Sequence, residues 1–276
     1  MLLENRWGPT TMGAMRALRF LAAAALVLAA CAPGAERTSS NDGAKRGIRT
    51  ELGDGLTVTK DTDGKTIKRK GPDLADGAHG VTTTRATLAL RAKPRFSSNM
   101  ERLTMANPID QRLVLLVEDT RSTGEGEWLE VLLPERPNGS TAWVARADVK
   151  VVEFRHRIEI SLAKHRLDLF RGDKRVHRFE VGVGQDQYPT PKGTFYVWAK
   201  VDQPSPTGPY GNYALGISGF SPVLSDWPGG GRAAVHGTAN PSDKGQKVSH
   251  GCIRVFNEDM KKLTGVPMGT PVIIKR

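Results

Sequence analysis

The chain has 276 residues, and its composition excludes several protein classes before any motif is considered. Apolar residues make up 38% and aromatic residues 6%, with 30 glycines and 17 prolines, which is poor for a helical bundle and ordinary for loop-rich β architecture. No run of 18 apolar residues occurs, so a polytopic membrane protein is excluded. The net charge of +11 is spread along the chain, without a basic helix or zinc-finger spacing. Nucleic acid is therefore not the expected partner, whereas a solvated basic surface and attraction to an acidic polymer both stay open.

The N-terminus predicts a signal peptide over residues 1–30. Residues 15–19 form a short basic region, and residues 20–30 form an apolar run that ends directly before Cys31. Leu-Ala-Ala-Cys at residues 28–31 resembles the bacterial lipobox, in which the cysteine becomes the first mature residue and carries lipid. The alternative is an ordinary signal peptide followed by chance by a cysteine. We exclude residues 1–14 from the fold.

The lipobox resemblance implies lipidation at Cys31 and a location in the cell envelope. The chain would be anchored to the outer side of the cytoplasmic membrane, or to the outer membrane of a diderm, and would face the cell wall. Residues 31–78 are rich in Gly, Asp, Lys, Ser and Thr and have little apolar periodicity, which predicts a disordered tether. Residues 56–58 could form an isolated strand.

From residue 79 the sequence changes to short alternating runs, which predict a small β domain over 79–152. The runs that contain Trp128 and Trp143 resemble the tryptophan-bearing strands of bacterial SH3-like barrels. Both tryptophans could pack in a core or could bind cell-wall peptide. We expect strands at 87–90, 113–117, 128–133 and 141–144.

A second β domain is predicted over 156–276. Residues 157–162 and 166–170 alternate strictly between polar and apolar side chains, which predicts a hairpin. Residues 202–231 are rich in Pro and Gly and predict a long lid loop, with Tyr210, Tyr213 and Phe220 as substrate-lining candidates. Further strands are expected at 176–183, 194–201, 233–236 and 272–275, with a short helix at 257–263.

The chemistry of this domain is predicted to centre on Cys252. If Cys31 carries lipid, Cys252 has no cysteine to pair with, so its thiol is either buried and inert or kept for chemistry. A thiol with a pKa of about 8.5 needs an adjacent base to act as a nucleophile at neutral pH. His236 ends a predicted strand, and a neighbouring strand beginning at Cys252 would place the imidazole beside the sulfur. We therefore predict that Cys252 is the nucleophile and His236 the base.

The residues around Cys252 are assigned supporting roles. Gly251 permits unusual dihedral angles, so its amide and that of Cys252 could point at an oxyanion. His250 is expected to orient the site, and Ser249 is expected to support it and to contact the substrate. Arg254 could bind a substrate carboxylate or form a structural salt bridge. Thr238 could orient His236 or meet substrate, and no metal site is predicted because a second cysteine and a carboxylate cluster are absent from the motif.

The segments His236-Gly-Thr and Ser249-His-Gly-Cys-Ile-Arg resemble the signature of the YkuD family of L,D-transpeptidases. The resemblance extends from about residue 157 to 276 and includes residues 189–193 and 269–272. It implies a mainly β protein with a YkuD-like β-sandwich catalytic domain, preceded here by the SH3-like β-barrel. Papain-like and NlpC-type wall hydrolases also use Cys and His, but their cysteine precedes the histidine.

The family resemblance implies a monomeric enzyme that needs no cofactor and acts on peptidoglycan stem peptides as donor and acceptor. Cys252 would form a thioester with a tetrapeptide stem, and a second stem would accept the acyl group to give a 3-3 cross-link. Two alternatives stay open: an L,D-carboxypeptidase or cross-link hydrolase that uses the same residues, and a non-catalytic wall-binding lipoprotein.

Overall fold

The computed structural model describes residues 50–51, 57–60, 66–67, 77–226 and 229–276. The predicted signal peptide and Cys31 lie outside the described residues. Within the predicted tether, strands β1 (Thr50–Glu51), β2 (Thr57–Lys60) and β3 (Thr66–Ile67) form a small antiparallel sheet. Strand β2 overlaps the isolated strand considered at residues 56–58, whereas β1 and β3 were not predicted. No helix in the described parts of the chain is long and apolar enough to span a bilayer.

The first large sheet has seven strands and lies between residues 78 and 154. The strands are β4 (Ala78–Thr82), β5 (Thr87–Arg91), β6 (Met100–Thr104), β7 (Leu115–Thr123), β8 (Gly126–Leu132), β9 (Thr141–Ala145) and β10 (Lys150–Phe154), with a 3-10 helix at Arg146–Asp148. Their spatial order is β10-β4-β7-β8-β9-β5-β6. The sheet contains all four strands predicted for this region and three that the alternation did not reveal, β4, β6 and β10.

Trp128 and Trp143 are buried in this barrel-like sheet, apart from its main core. The Trp128 ring packs against Phe96 at 4.9 Å between ring centroids, and the Arg121 guanidinium lies 5.0 Å from the Trp143 ring. Of the two roles considered for these tryptophans, packing is the one that the structure favours.

The second large sheet has nine strands and closes on itself, because β12 pairs with both β11 and β13. The order is β12-β11-β19-β14-β15-β16-β18-β13-β17. The chain is mainly β, as predicted, and the short helix is found at α1 (Asn257–Met260), followed by a 3-10 turn at Lys261–Leu263. The strands are β11 (His156–Ser161), β12 (Arg166–Arg171), β13 (Lys174–Gly184), β14 (Gly193–Asp202), β15 (Tyr213–Phe220), β16 (Arg232–Thr238), β17 (Lys247–Ser249), β18 (Ile253–Phe256) and β19 (Pro271–Lys275).

The β11–β12 hairpin shows how the alternating pattern produces this sheet. Successive side chains of a strand point to opposite faces. Ile158, Ile160, Leu167 and Leu169 therefore all enter one core. The polar residues between them stand on the outer face, where Arg157 pairs with Glu159 at 2.7 Å. The predicted hairpin is confirmed in position and pairing.

The predicted lid over 202–231 is wrong, because β15 occupies its centre. Every residue of β15 is buried, including Tyr213 and Phe220, and the strand pairs with β14 and β16. Its small residues and flanking prolines hid a central strand. Outside β15, the described residues 203–212, 221–226 and 229–231 are loop, and Tyr210 lies on the first of these segments.

The two large sheets share a core. Tyr196, Trp198 and Val201 of β14 pack with the buried residues of the first sheet, as does Ala214 of β15. The change of sheet falls between β10, which ends at Phe154, and β11, which begins at His156, and the shared core makes the two sheets interdependent.

Polar side chains of the first sheet complete the backbone hydrogen bonding of the second. Gln111 accepts from the Lys200 N–H at 2.9 Å and donates to the Lys200 carbonyl at 2.7 Å. Asn138 makes the same pair of bonds to Phe220, at 2.9 and 2.8 Å. The Arg136 guanidinium donates to the carbonyls of residues 221, 224 and 230 at 2.8–2.9 Å. The side-chain amides of Gln111 and Asn138 thus make the backbone hydrogen bonds that a neighbouring strand would otherwise make.

We predict that Gln111→Ala lowers the free energy of unfolding of the whole protein by about 1–3 kcal/mol, because both backbone groups of Lys200 lose their partner. Urea unfolding followed by tryptophan fluorescence and by circular dichroism measures this change. Gln187→Ala, at an exposed position, should change stability by less than about 0.5 kcal/mol. Separate transitions for the two probes would contradict the interdependence of the sheets.

Candidate active site

The site is built by the parallel pairing of β16 with β18. His236 lies opposite Arg254 in this register, and Val235 lies opposite Ile253. Because side chains two residues apart share a face, Ala234, His236, Cys252 and Arg254 come to one side of the sheet. Cys252 packs against Ala234, directly before β18 begins. The predicted adjacency of His236 and Cys252 is thus produced by two neighbouring strands.

Tyr210 covers both of these residues. Its ring packs against the pair formed by Cys252 and Ala234, and its centroid lies 5.2 Å from the His236 imidazole at an interplanar angle of 75°. Of the three aromatic residues predicted to line the site, Tyr210 alone has this contact. Tyr213 and Phe220 are buried in β15, and Phe220 packs under Arg136 and Arg232.

His236 is fully buried and is held as a neutral imidazole. Its Nδ1 lies 2.8 Å from the Gly237 carbonyl, which can only accept, so Nδ1 carries the proton. Nε2 is buried with no hydrogen-bond partner among the described residues. Burial lowers the pKa of His236 to about 4, and the charge of Arg254 acts in the same direction, while the Gly237 carbonyl and Asp243 oppose it. A neutral imidazole with an unpartnered Nε2 is the state that a general base requires.

Cys252 is 1% exposed and is disulfide-bonded in this structure. The expectation of an unpaired thiol is therefore not met. Cys31, the other cysteine of the sequence, lies outside the described residues. The nucleophile considered below is the reduced form of Cys252.

A buried serine shapes the loop before Cys252. The Ser249 hydroxyl donates to the Cys252 carbonyl at 2.5 Å and accepts from the Gly251 N–H at 3.1 Å. Gly251 has φ of 114°, a conformation that favours glycine. Ser249 is completely buried, so its hydroxyl holds the turn and does not line the surface as the substrate-binding prediction required. The Gly251 amide, a predicted oxyanion donor, already donates to Ser249.

The other predicted site residues, His250, Thr238 and Arg254, contact side chains other than those of His236 and Cys252. The His250 ring packs 4.5 Å from the Tyr188 ring, and burial lowers the pKa of His250, as does the charge of Arg254. Thr238 donates its hydroxyl hydrogen to Asp243 at 2.7 Å. Arg254 forms an ion pair with Asp243 at 3.2 Å, which is one of the two roles considered for it.

Sequence reasoning missed Tyr188, Asp243 and Asn257. Asn257 fastens the 203–212 loop: its amide oxygen accepts from the Asn212 N–H at 3.1 Å, and its amide nitrogen donates to the Pro206 carbonyl at 2.8 Å. Gly211 lies so close that an added Cβ would be 2.2 Å from the Asn257 amide oxygen. The position of Asn257 at the start of a helix was a visible signal, but its partner loop, 45 residues earlier for Asn212, was not.

Within 77–226 and 229–276, no three His, Cys, Asp or Glu side chains lie close enough together to hold a metal ion.

Comparison with known proteins finds similarity to one family. Residues 155–274 match the family model of the YkuD L,D-transpeptidase catalytic domain. The chain is 38% identical over 120 residues to a putative L,D-transpeptidase YkuD of Bacillus licheniformis, and this match covers 43% of this chain and 65% of the relative. It is 31% identical over 162 residues to a probable L,D-transpeptidase ErfK/SrfK of Escherichia coli, which covers 52% of this chain and 51% of the relative.

The chain thus spans about two thirds or less of the length of these relatives. Among solved structures, the chain is similar to the catalytic domain of an E. faecium L,D-transpeptidase acylated by ertapenem. The identity is 28%, the TM-score is 0.34, and the match covers 45% of this chain and 99% of that chain.

We predict that buried His236 makes stability depend on pH. Its folded pKa of about 4 lies below the ordinary value of 6.5, so between these values the unfolded chain binds a proton that the folded chain does not. The contribution of His236 to the free energy of unfolding is fully present above pH 6.5. It decreases by about 3 kcal/mol as the pH falls to 4. Urea unfolding of reduced protein at pH 4.5–7.5 measures this decrease. His236→Gln should lose that part of the slope, and His177→Gln should keep it; equal slopes in all three proteins would refute the assignment.

We also predict that Asn257→Ala loosens the 203–212 loop and exposes the reduced Cys252. The rate of alkylation by iodoacetamide at pH 7 should rise several-fold, because Tyr210 no longer covers the sulfur. Asn257→Asp keeps the acceptor for Asn212 and loses the donor to Pro206, so it should give a smaller increase. Asn99→Ala, at an exposed position between β5 and β6, is the control. An unchanged rate in Asn257→Ala would show that this loop does not control access.

Proposed function

We infer that this chain, whose residues 155–274 match the family model of the YkuD L,D-transpeptidase catalytic domain, joins peptidoglycan stem peptides by acyl transfer through Cys252. The observation that carries the proposal is the buried neutral His236, whose unpartnered Nε2 shares a strand face and a Tyr210 contact with Cys252. This pair can generate a thiolate where water is largely excluded.

In the first half of the reaction, Cys252 attacks the carbonyl at the L-centre of diaminopimelate in a tetrapeptide stem. His236 Nε2 accepts the thiol proton, and the new C–S bond forms a tetrahedral intermediate. The C–N bond to the terminal D-alanine then breaks, and the imidazolium returns its proton to the departing amine. The product is a thioester on Cys252.

In the second half, the side-chain amine of another stem attacks the thioester carbonyl. His236 accepts a proton from this amine, the C–S bond breaks, and the proton returns to Cys252 as the thiol re-forms. A 3-3 cross-link results. The energy of the broken peptide bond is carried through the thioester, so neither step requires a nucleotide.

The oxyanion is assigned to the backbone amides of Gly251 and Cys252. Because the Gly251 N–H donates to Ser249 at 3.1 Å, it must share or release that bond when the carbonyl oxygen becomes charged. The rigid turn held by Ser249 keeps both amides in place. Tyr210 and the partly exposed Arg254 are the predicted substrate-binding residues that remain near the reacting pair.

The place of the protein in the cell is part of the same proposal. The basic and apolar segments of residues 15–30, followed by Cys31, support export and lipid anchoring, with the catalytic domain facing the wall. A substrate in the wall is consistent with this location.

The test is turnover of a purified disaccharide-tetrapeptide by the reduced protein, followed by mass spectrometry. We expect a dimer whose mass lacks one D-alanine, no product with Cys252→Ala, and a rate lower by about 10²–10⁴-fold with His236→Gln. His177→Gln, a histidine on β13 away from the pair, should keep the wild-type rate.

Other products would change the assignment. A tripeptide monomer that depends on Cys252 would make the protein an L,D-carboxypeptidase, and turnover that survives Cys252→Ala would refute the mechanism. Binding to isolated wall without turnover by any variant would favour a non-catalytic role.

A further inference from the structure

A buried carboxylate lies between the two parts of the active site. Asp243 is 3% exposed and ends a 3-10 helix at Pro241–Asp243, in the segment that connects β16 to the loop before Cys252. One of its oxygens accepts from Thr238 at 2.7 Å and from Arg254 at 3.2 Å. The other accepts from the Asn240 amide at 3.1 Å. Buried carboxylates are costly unless they are paired and hydrogen-bonded, and this one is both.

The partners of Asp243 connect it to both reacting residues. Thr238 lies two residues after His236 on β16, and Arg254 lies two residues after Cys252, on β18. Asp243 therefore joins the strand that carries the base to the strand that follows the nucleophile. The backbone around it is closely packed, since a Cβ added at Gly182 of β13 would lie 2.8 Å from the Asp243 carbonyl oxygen.

We propose that Asp243 is a positioning residue for the acyl transfer: it fixes β16 against β18 and balances the charge of Arg254 beside His236. The acyl transfer in this proposal rests on the proposed function, whereas the contacts of Asp243 do not depend on it. Thr238 then acts through Asp243, which explains why its hydroxyl turns to this carboxylate.

The charges around His236 decide what loss of Asp243 would do. Arg254 on β18 disfavours the imidazolium, and Asp243 favours it. The other titratable groups near the ring are Tyr210 of the 203–212 loop and Cys252 and His250, which precede β18. Without the carboxylate, Arg254 is uncompensated, so it disfavours the imidazolium more strongly and favours the Cys252 thiolate.

The experiment compares Asp243→Asn, Arg254→Gln and the double variant in the reduced full chain. The first readout is the pH dependence of kcat/KM for the tetrapeptide substrate. The second is the pH dependence of Cys252 alkylation by iodoacetamide, which needs no transpeptidase activity. Asp243→Asn should move the acid limb of kcat/KM and the midpoint of alkylation to lower pH. Arg254→Gln should move both to higher pH, and the double variant should return them toward the wild-type position.

Asp259→Asn removes a carboxylate that pairs with Lys262 on the nearby helical segment and should leave both profiles unchanged. A lower rate with unmoved profiles in Asp243→Asn would overturn the proposal, because a purely structural role predicts that result. If Asp243→Asn does not fold, Arg254→Gln decides alone, and an unmoved profile refutes the charge balance. If wild type does not turn over the substrate, the proposed function fails while alkylation still tests Asp243.

Discussion

The parallel register of β16 and β18 is the constraint on which the site depends. It brings together two residues separated by a 15-residue connection, and it directs both side chains to the same face. A shift of one residue would send His236 to the opposite face from Cys252. The connection must therefore return the chain to the start of β18 in exact register. The 3-10 helix at Pro241–Asp243, strand β17 and the turn held by Ser249 perform that return.

Burial gives the base its protonation state, and the surrounding polar groups limit the cost. A histidine in the interior of a sheet loses hydration, which favours the neutral ring. The Gly237 carbonyl then selects the tautomer that leaves Nε2 available. Arg254 would depress the pKa further if it stood alone, and the ion pair with Asp243 moderates that effect. The same arrangement thus provides a neutral base at pH 7 and keeps a cation close to the sulfur.

Local patterns in the sequence were sufficient for elements whose stabilising contacts are also local. The β11–β12 hairpin follows from alternation, and the strands near 176–183 and 194–201 and the helix at 257–260 also lie where the local sequence predicted them. The Cys252 and His236 pair was predicted from a motif. By contrast, β15 has small residues on both faces and prolines on both sides, so alternation could not reveal a strand that is buried all round. Asp243 and Asn257 act through partners on other elements, and no spacing rule links them.

The role of the first sheet also could not be predicted from spacing, because it depends on irregular pairing in the second. The register between β15 and β16 shifts between Gly216 and Phe220, which leaves backbone groups there without strand partners. Arg232 donates to the Ile217 carbonyl at 3.3 Å, and Asn138 of the first sheet satisfies both backbone groups of Phe220. Ala214, near the start of β15, pairs with His236 of β16. The first sheet therefore holds β15 at its Phe220 end, and the other end of β15 lies beside the catalytic base. The first sheet therefore supports the geometry of the active site through one intervening strand, whatever else its surface binds.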